Sequence, residues 1–333
     1  MEDVARNAFT LATQEAIFEK LGLNNGDWQD LGGFESFVFS NKRSRRILRI
    51  THVSHRSLAD IEAEIEFLTY LKTQGASVSG PLPILGSAVA IECFDFVCCL
   101  FDMAEGSQVQ EADWQPGLFQ LWGEAIGRFH RLAQDYVPKG AARFSWQVDA
   151  NLDFDRYLPR AETQIRSLAR DHRAELDKLP MTPDVYGLIH SDAHAGNYFL
   201  KQNALTFFDF DDCCYQWYIF DVATILFSAV LQPWMENSIE ARLAEAEAFF
   251  PAFLDGYSRQ APIDGLMLDR MPLFLKLREL SLYAVINTHM DVDNLEDYRP
   301  IWLICRWIFL AITSGTTLAN IYLTNSCLFF FDL

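Results

Sequence analysis

The sequence predicts an α+β chain in two parts, a small β-rich part followed by a larger, mainly helical one. Three observations carry this prediction. Short apolar runs bounded by Gly, Pro and polar turns fill much of residues 31 to 103, helical spacing prevails from Pro116 onward, and Ala104-Glu105-Gly106-Ser107 reads as a crossover between them. The boundary falls near residue 105, giving segments 1–105 and 106–333. With 333 residues, 50% of them hydrophobic, the chain can bury the core of one large or two moderate domains.

The elements follow in order. Val4, Phe9, Leu11, Ile17 and Leu21 recur at roughly helical spacing until Gly22 and Gly26, so one helix is expected at the start. Leu31 to Phe39 and Arg46 to Ile50 read as two strands of a hairpin around the polar turn Asn41-Lys42-Arg43-Ser44. Ser57-Leu58-Ala59-Asp60 has the form of a capping box, and Ile61, Ile65, Leu68 and Leu71 continue a helix to Gly75, which suits the C′ position. Pro81 and Pro83 break regularity before two further strands, Ala88 to Cys93 and Phe96 to Met103. Helices are then expected over Pro116 to Leu132 and much of Leu152 to Leu179. Three short strands interrupt them, Val185 to Ile189, Tyr198 to Leu200 and Leu205 to Phe208, and from Tyr218 the pattern is mostly helical again.

Composition narrows the function. The net charge of −18 disfavours nucleic acid as a partner, because binding its backbone needs a basic face, and it mildly favours cationic small molecules. Seven cysteines, an odd number without a C-x-x-C pair, point to reduced thiols and not to a disulfide framework or a zinc site. The first residues, Met1-Glu2-Asp3-Val4-Ala5-Arg6, lack the features of an export signal, so a cytoplasmic location is expected. The apolar stretch from Ile301 to Leu323 is interrupted by Arg306, Asn320 and Thr313-Ser314-Gly315-Thr316-Thr317, and reads as a buried helix, with no membrane partner.

The chemistry concentrates in His190-Ser191-Asp192-Ala193-His194-Ala195-Gly196-Asn197, followed after a short strand pair by Phe208-Asp209-Phe210-Asp211-Asp212. A hairpin between the two stretches would bring Asn197 and Asp209 together. Mg²⁺ takes one or two such oxygens together with substrate phosphates. Asp192 is then left to accept or orient the proton of an attacking hydroxyl. Asp and Asn also favour turns, which is the plainer account of the same residues.

With these residues in this order, the chain resembles the aminoglycoside phosphotransferase, choline kinase and homoserine kinase group of protein-kinase-like enzymes, which share an H-G-D-x-H-x-x-N signature and a later Asp. The resemblance runs from about Leu31 to Ala223. It implies a bilobal protein-kinase-like fold and transfer of the ATP γ-phosphate, with Mg²⁺, to a hydroxyl of a small molecule of aminoglycoside, amino alcohol or amino acid type. It makes Asp192 the catalytic base, Asn197 and Asp209 the metal ligands, His190 a shaper of the loop and Asp221 its brace from the start of a helix. In the first segment it makes Gly32 and Gly33 a nucleotide-covering loop, and Phe96 to Ala104 the hinge beside adenine. Arg49 stands where many of these kinases carry a phosphate-anchoring lysine; Glu64 is its expected partner, with Glu62 and Glu66 as alternatives. Arg49 for Lys and Ser191 for Gly are departures from the pattern.

Other readings stay open at this level. Relatives include bacterial stress kinases that phosphorylate protein Ser or Thr, and the two departures would also suit a nucleotide-binding regulator without catalysis. Asp211 and Asp212 read as further site contacts or as a solvated turn. Trp217, Trp302 and Trp307 suggest an aromatic cage for a quaternary ammonium, although core packing accounts for them better. Arg278 and Glu279 face either an acceptor pocket or solvent.

Overall fold

The computed structural model describes residues 3–289 except 150–151, 159, 161–162, 233 and 235–237. The helix expected at Ile301 to Leu323, with Trp302 and Trp307, lies outside the described residues. The chain forms two compact units. The first comprises Met1–Ser107, Tyr136–Arg143 and Tyr198–Asp211; the second comprises Gln108–Asp135, Phe144–Asn197 and Asp212–Leu333.

The first unit is built on an antiparallel sheet of β1 (Gln29–Gly32), β2 (Phe37–Asn41), β3 (Arg46–His52), β6 (Phe96–Asp102) and β4 (Pro81–Leu82), in that order, with β5 (Ala90–Cys93) also paired to β6. The single strand expected from Leu31 to Phe39 is two strands. Gly32 has φ +74° and a Cβ on Gly33 would lie 1.9 Å from the Ser36 carbonyl oxygen, so the chain turns tightly there before β2 begins. The expected first helix is likewise two, α1 (Asp3–Ala8) and α2 (Leu11–Lys20), because Thr10 caps α2 by accepting a hydrogen bond from Thr13 N. Ile17, Phe18 and Leu21 pack with Phe39, Leu48, Ile50, Phe96 and Leu100 of the sheet. Burial of each such side chain contributes about 1.5–3 kcal/mol. Helix α3 (Leu58–Thr73) starts at the Ser57–Asp60 capping box.

Specific bonds recruit the two later segments to this unit. Glu66 of α3 accepts from Lys139 N and Gly140 N at 2.6 and 3.0 Å. The hairpin of β8 (Tyr198–Lys201) and β9 (Ala204–Phe207) exchanges bonds between Ser107 and Leu200, and Ser79 N donates to Phe207 O at 2.7 Å.

The second unit is mainly helical: α4 (Pro116–Gln134), α5 (Phe154–Tyr157), α6 (Thr163–Leu176), α7 (Tyr218–Ala229), α8 (Ile239–Ser258), α9 (Gly265–Leu268) and α10 (Met271–His289). It also holds the antiparallel pair β7 (Tyr186–Ile189) and β10 (Cys214–Trp217). Trp217 is core: it is fully buried against Trp146, Tyr186 and Phe274, and its indole N–H donates to Pro180 O at 2.7 Å. Helices α4 and α8 approach closely because their contact is made of glycine. A Cβ on Gly123 would sit 1.9 Å from Phe253 O, and one on Gly256 would sit 2.0 Å from Gln120 O.

Both backbones must separate to admit even a methyl group. Gly123→Ala and Gly256→Ala are each expected to lower stability by about 1–3 kcal/mol, read as a lower denaturation midpoint in urea.

Candidate active site

A cavity of about 400 Å³ opens in the first unit. Leu31, Val38, Ile47, Phe101, Met103 and Phe208 give it apolar walls, and Lys42, Arg49, Glu64 and Asp209 supply charge. Its size and mixed lining suit a nucleotide, whose base takes the apolar walls and whose phosphates take the charged groups. Arg49 and Glu64 form a two-pronged ion pair, Nη1 to Oε1 at 2.9 Å and Nη2 to Oε2 at 2.5 Å. Both are buried, at 6% and 1% exposure, and the guanidinium lies 5.1 Å from the Phe101 ring centroid. Burial opposes the charge on Arg49, but its surroundings, Glu64 foremost and Asp211 with it, together outweigh burial and the guanidinium is held firmly protonated. A planar fork can pair with Glu64 in this way, whereas a lysine ammonium has no second prong.

Asp211 is no solvated turn. Its carboxylate is buried beside Arg56 at 3.3 Å and His55 at 2.6 Å, with Arg49 at 3.9 Å, and its carbonyl accepts from Arg56 and Arg143. Burial pushes this acid up, yet the cations around it hold it well below the usual carboxylate range. Asp209, two residues earlier, lines the cavity with φ +64°. An Asp in the left-handed region costs about 1 kcal/mol, a strain found preferentially at ligand sites.

The remaining site residues belong to the second unit. Asp221, in the first turn of α7, is fully buried and accepts from His190 N at 3.0 Å and Ser191 N at 2.7 Å. His130 Nε2 lies 3.0 Å from the same carboxylate, and its Nδ1 lies 2.8 Å from the Tyr257 hydroxyl. A single tautomer satisfies both, with Tyr257 donating to Nδ1 and Nε2–H donating to Asp221. Ser191 has φ +72°, which is why glycine suits this position; two bonds to one carboxylate keep the loop there despite the side chain.

The loop that Asp221 braces presents Asp192. Arg278 Nη2 of α10 lies 2.7 Å from Asp192 Oδ1, and His194 Nε2 lies 3.3 Å from Oδ2. Asn197 Nδ2 donates to the Asp192 carbonyl at 2.9 Å and approaches Oδ2 at 3.3 Å, which leaves Asn197 Oδ1 as the oxygen a hard cation would take. Burial raises the Asp192 carboxyl, but His194 and Arg278 more than reverse this, and it stays far below the ordinary range. Arg278 thus faces a site and not solvent. It also lines a second cavity of about 530 Å³, together with Gln108, Gln110, His194, Gln232 and Trp234.

Of the residues singled out from sequence, the structure brings Arg49 to Glu64, Asp192 to Asn197, and Asp221 to the backbone of His190 and Ser191. Asp209 lies in the first unit, whereas Asp192 and Asn197 lie in the second. His130, His55, Arg56 and Arg143 carried no sequence signal, and the aspartates they meet, Asp211 and Asp221, lie 68 to 156 residues away.

Comparison with known proteins follows the same line. The phosphotransferase enzyme family matches residues 29–263. Amicoumacin kinase of Bacillus subtilis (strain 168) is 29% identical over 308 residues, spanning 89% of this chain and 91% of its own. The structure of amicoumacin kinase hAmiN in complex with AMP-PNP, Ca²⁺ and Ami has a TM-score of 0.86 at 27% identity, over 96% of this chain and 97% of its own. A microcompartment-associated aminopropanol kinase, at 22% identity and a TM-score of 0.65 over 88% of this chain and 94% of its own, shares the fold.

Removal of the buried acid tests how much the loop depends on it. Asp221→Ala is expected to destabilise the protein by about 3–5 kcal/mol, because two backbone N–H groups and a histidine lose their common acceptor. Ser191→Gly is expected to be neutral or to stabilise by up to about 1 kcal/mol. Thermal unfolding followed by circular dichroism reads both.

Proposed function

The chain belongs to the phosphotransferase enzyme family, and from that premise we propose that it phosphorylates a hydroxyl of an amicoumacin-like small molecule, with Asp192 as base and Asn197 and Asp209 as Mg²⁺ ligands. That it is an ATP-dependent kinase using a divalent metal, with an alcohol group of a small molecule as acceptor, goes with the family and its protein-kinase-like fold. The acceptor is the finer step. It rests on one observation, the likeness to amicoumacin kinase along almost the whole chain. Among the described residues no helix is long and apolar enough to cross a membrane.

The chain's own residues suit this reaction. Arg49, fixed by Glu64, offers an anchored positive charge to phosphate oxygens and needs little reorganisation to do so. When bound, the divalent metal neutralises charge on the transferring phosphoryl group. Asp192 is a weak base, since Arg278 and His194 stabilise its ionised form. Weak basicity is compatible with phosphoryl transfer, whose loose transition state asks mainly for an aligned hydroxyl and only late for proton removal. Arg278 and Asn197 fix the carboxylate from two sides, so a free oxygen edge can orient the acceptor. The cavity beside them, with glutamine amides and an aromatic wall, is large enough for a drug-sized molecule.

ADP release by the purified protein with Mg²⁺-ATP should rise when amicoumacin is added, and much less with choline, homoserine or an aminoglycoside. Stimulation by one of those instead would sink the acceptor assignment and keep the kinase. Asp192→Asn is expected to lower kcat by about 10²–10⁴-fold while leaving AMP-PNP binding unchanged, measured by steady-state kinetics and calorimetry.

A further inference from the structure

The turn between β3 and α3 carries a histidine that phosphoryl transfer leaves without a task. His55 Nε2 lies 2.6 Å from Asp211 Oδ2 and 3.2 Å from Glu35 Oε2. Glu35 belongs to the tight loop opened by Gly32 and Gly33, whose far end is fixed by a 2.8 Å bond between the Ser36 and Thr51 hydroxyls. Asp211 follows Asp209 by two residues and reaches both Arg56 and Arg49. One imidazole therefore touches the glycine loop and the segment after Asp209 from its own turn, all within the first unit.

Two carboxylates that converge on one nitrogen repel each other unless a cation stands between them. Burial alone would lower the imidazole, but Asp211 and then Glu35 push His55 up to about 10, so it is the imidazolium that stands there. Glu35, His55 and Asp211 could also be read as ligands of a metal ion. The site is already supplied with positive charge by Arg56 at 3.3 Å and Arg49 at 3.9 Å from Asp211, so a proton completes the balance where a divalent ion would overload it.

We propose that His55 is a positioning residue for nucleotide binding: it clasps Glu35 of the glycine loop to Asp211, and so holds the loop and the Arg49 anchor in one frame before ATP arrives. A loop ordered in advance loses less conformational freedom on binding. The clasp also neutralises Glu35, which would otherwise set an uncompensated negative charge in the loop that covers the phosphates.

The test is calorimetric titration of the full chain with Mg²⁺-AMP-PNP, with thermal unfolding of the same samples. His55→Gln is expected to weaken binding about tenfold, because it leaves two carboxylates facing each other across a neutral amide. Glu35→Gln should weaken it about threefold, and the double variant should match Glu35→Gln and not the product of the two losses. That recovery is a signature no merely structural role produces. Independent, multiplying losses would overturn the proposal, and so would wild-type binding by His55→Gln at a lowered unfolding temperature. Should His55→Gln fail to fold, Glu35→Asp and Glu35→Gln decide: binding kept by the shorter acid and weakened by the amide supports the clasp, and equal binding by both and the wild type overturns it.

Discussion

The buried carboxylate of Asp221 is the constraint from which the loop from His190 to Asn197 takes its shape. It has no access to water, and an unpaired charge there would cost several kcal/mol. Three donors remove that penalty: the backbone N–H groups of His190 and Ser191, and the His130 ring, itself held by Tyr257. The dependence runs both ways. The acid is tolerable only because the loop turns its amides inward, and the loop keeps a serine at positive φ only because the acid holds it. Helix α7 fixes the acid in space, since its side chains are buried almost throughout and it cannot rotate without exposing them. Asp192 thus has its backbone set before any ligand is considered.

The first unit solves a related problem with a different arrangement. Arg49, Glu64 and Asp211 are all buried ions, and buried ion pairs seldom add stability over apolar residues of the same shape. Their value lies in position. Glu64 projects from a capped helix and Asp211 from the turn that follows the β8–β9 hairpin, so Arg49 is referred to two separate parts of the chain at once. An arginine in place of lysine suits this frame because its planar group takes Glu64 through both nitrogens and stacks over Phe101. The departure from the usual residue is accommodated by geometry already present.

What could be read from the sequence was what is local. Ser57 and Asp60 lie three residues apart and signal the start of α3; the polar turn from Asn41 to Ser44 signals the β2–β3 hairpin; the compact His190–Asn197 stretch signals its chemistry because its members are neighbours in the chain. Failures were of two kinds. Some were local rules misjudged: Thr10 splits one helix into two, Gly32 and Gly33 split one strand, and β10 passed unnoticed because Cys214 to Trp217 shows no clear alternation. Others were invisible in principle. Arg278 is 86 residues from Asp192 and Asp211 is 156 from His55, and no period or spacing encodes such pairs. They exist only once the core has placed their helices and turns.

The net charge of −18 also misleads when taken as a guide to the site. It describes a surface, and surface charge is screened within about 8–10 Å at ordinary ionic strength. Inside the first unit the balance is reversed around Asp211, where Arg49, Arg56 and His55 meet one carboxylate and Arg143 donates to the carbonyl of the same residue, with Glu64 and Glu35 at its margins. A protein that must hold a nucleotide polyanion can therefore be strongly acidic overall. What matters is that the cations lie where field lines are not damped by water, and that each is tied to an acid that keeps it from collapsing onto the phosphates at random. On the proposed function, the acids in the first unit do not oppose phosphate binding. They set the orientation of the cations to which the proposed function assigns the phosphates.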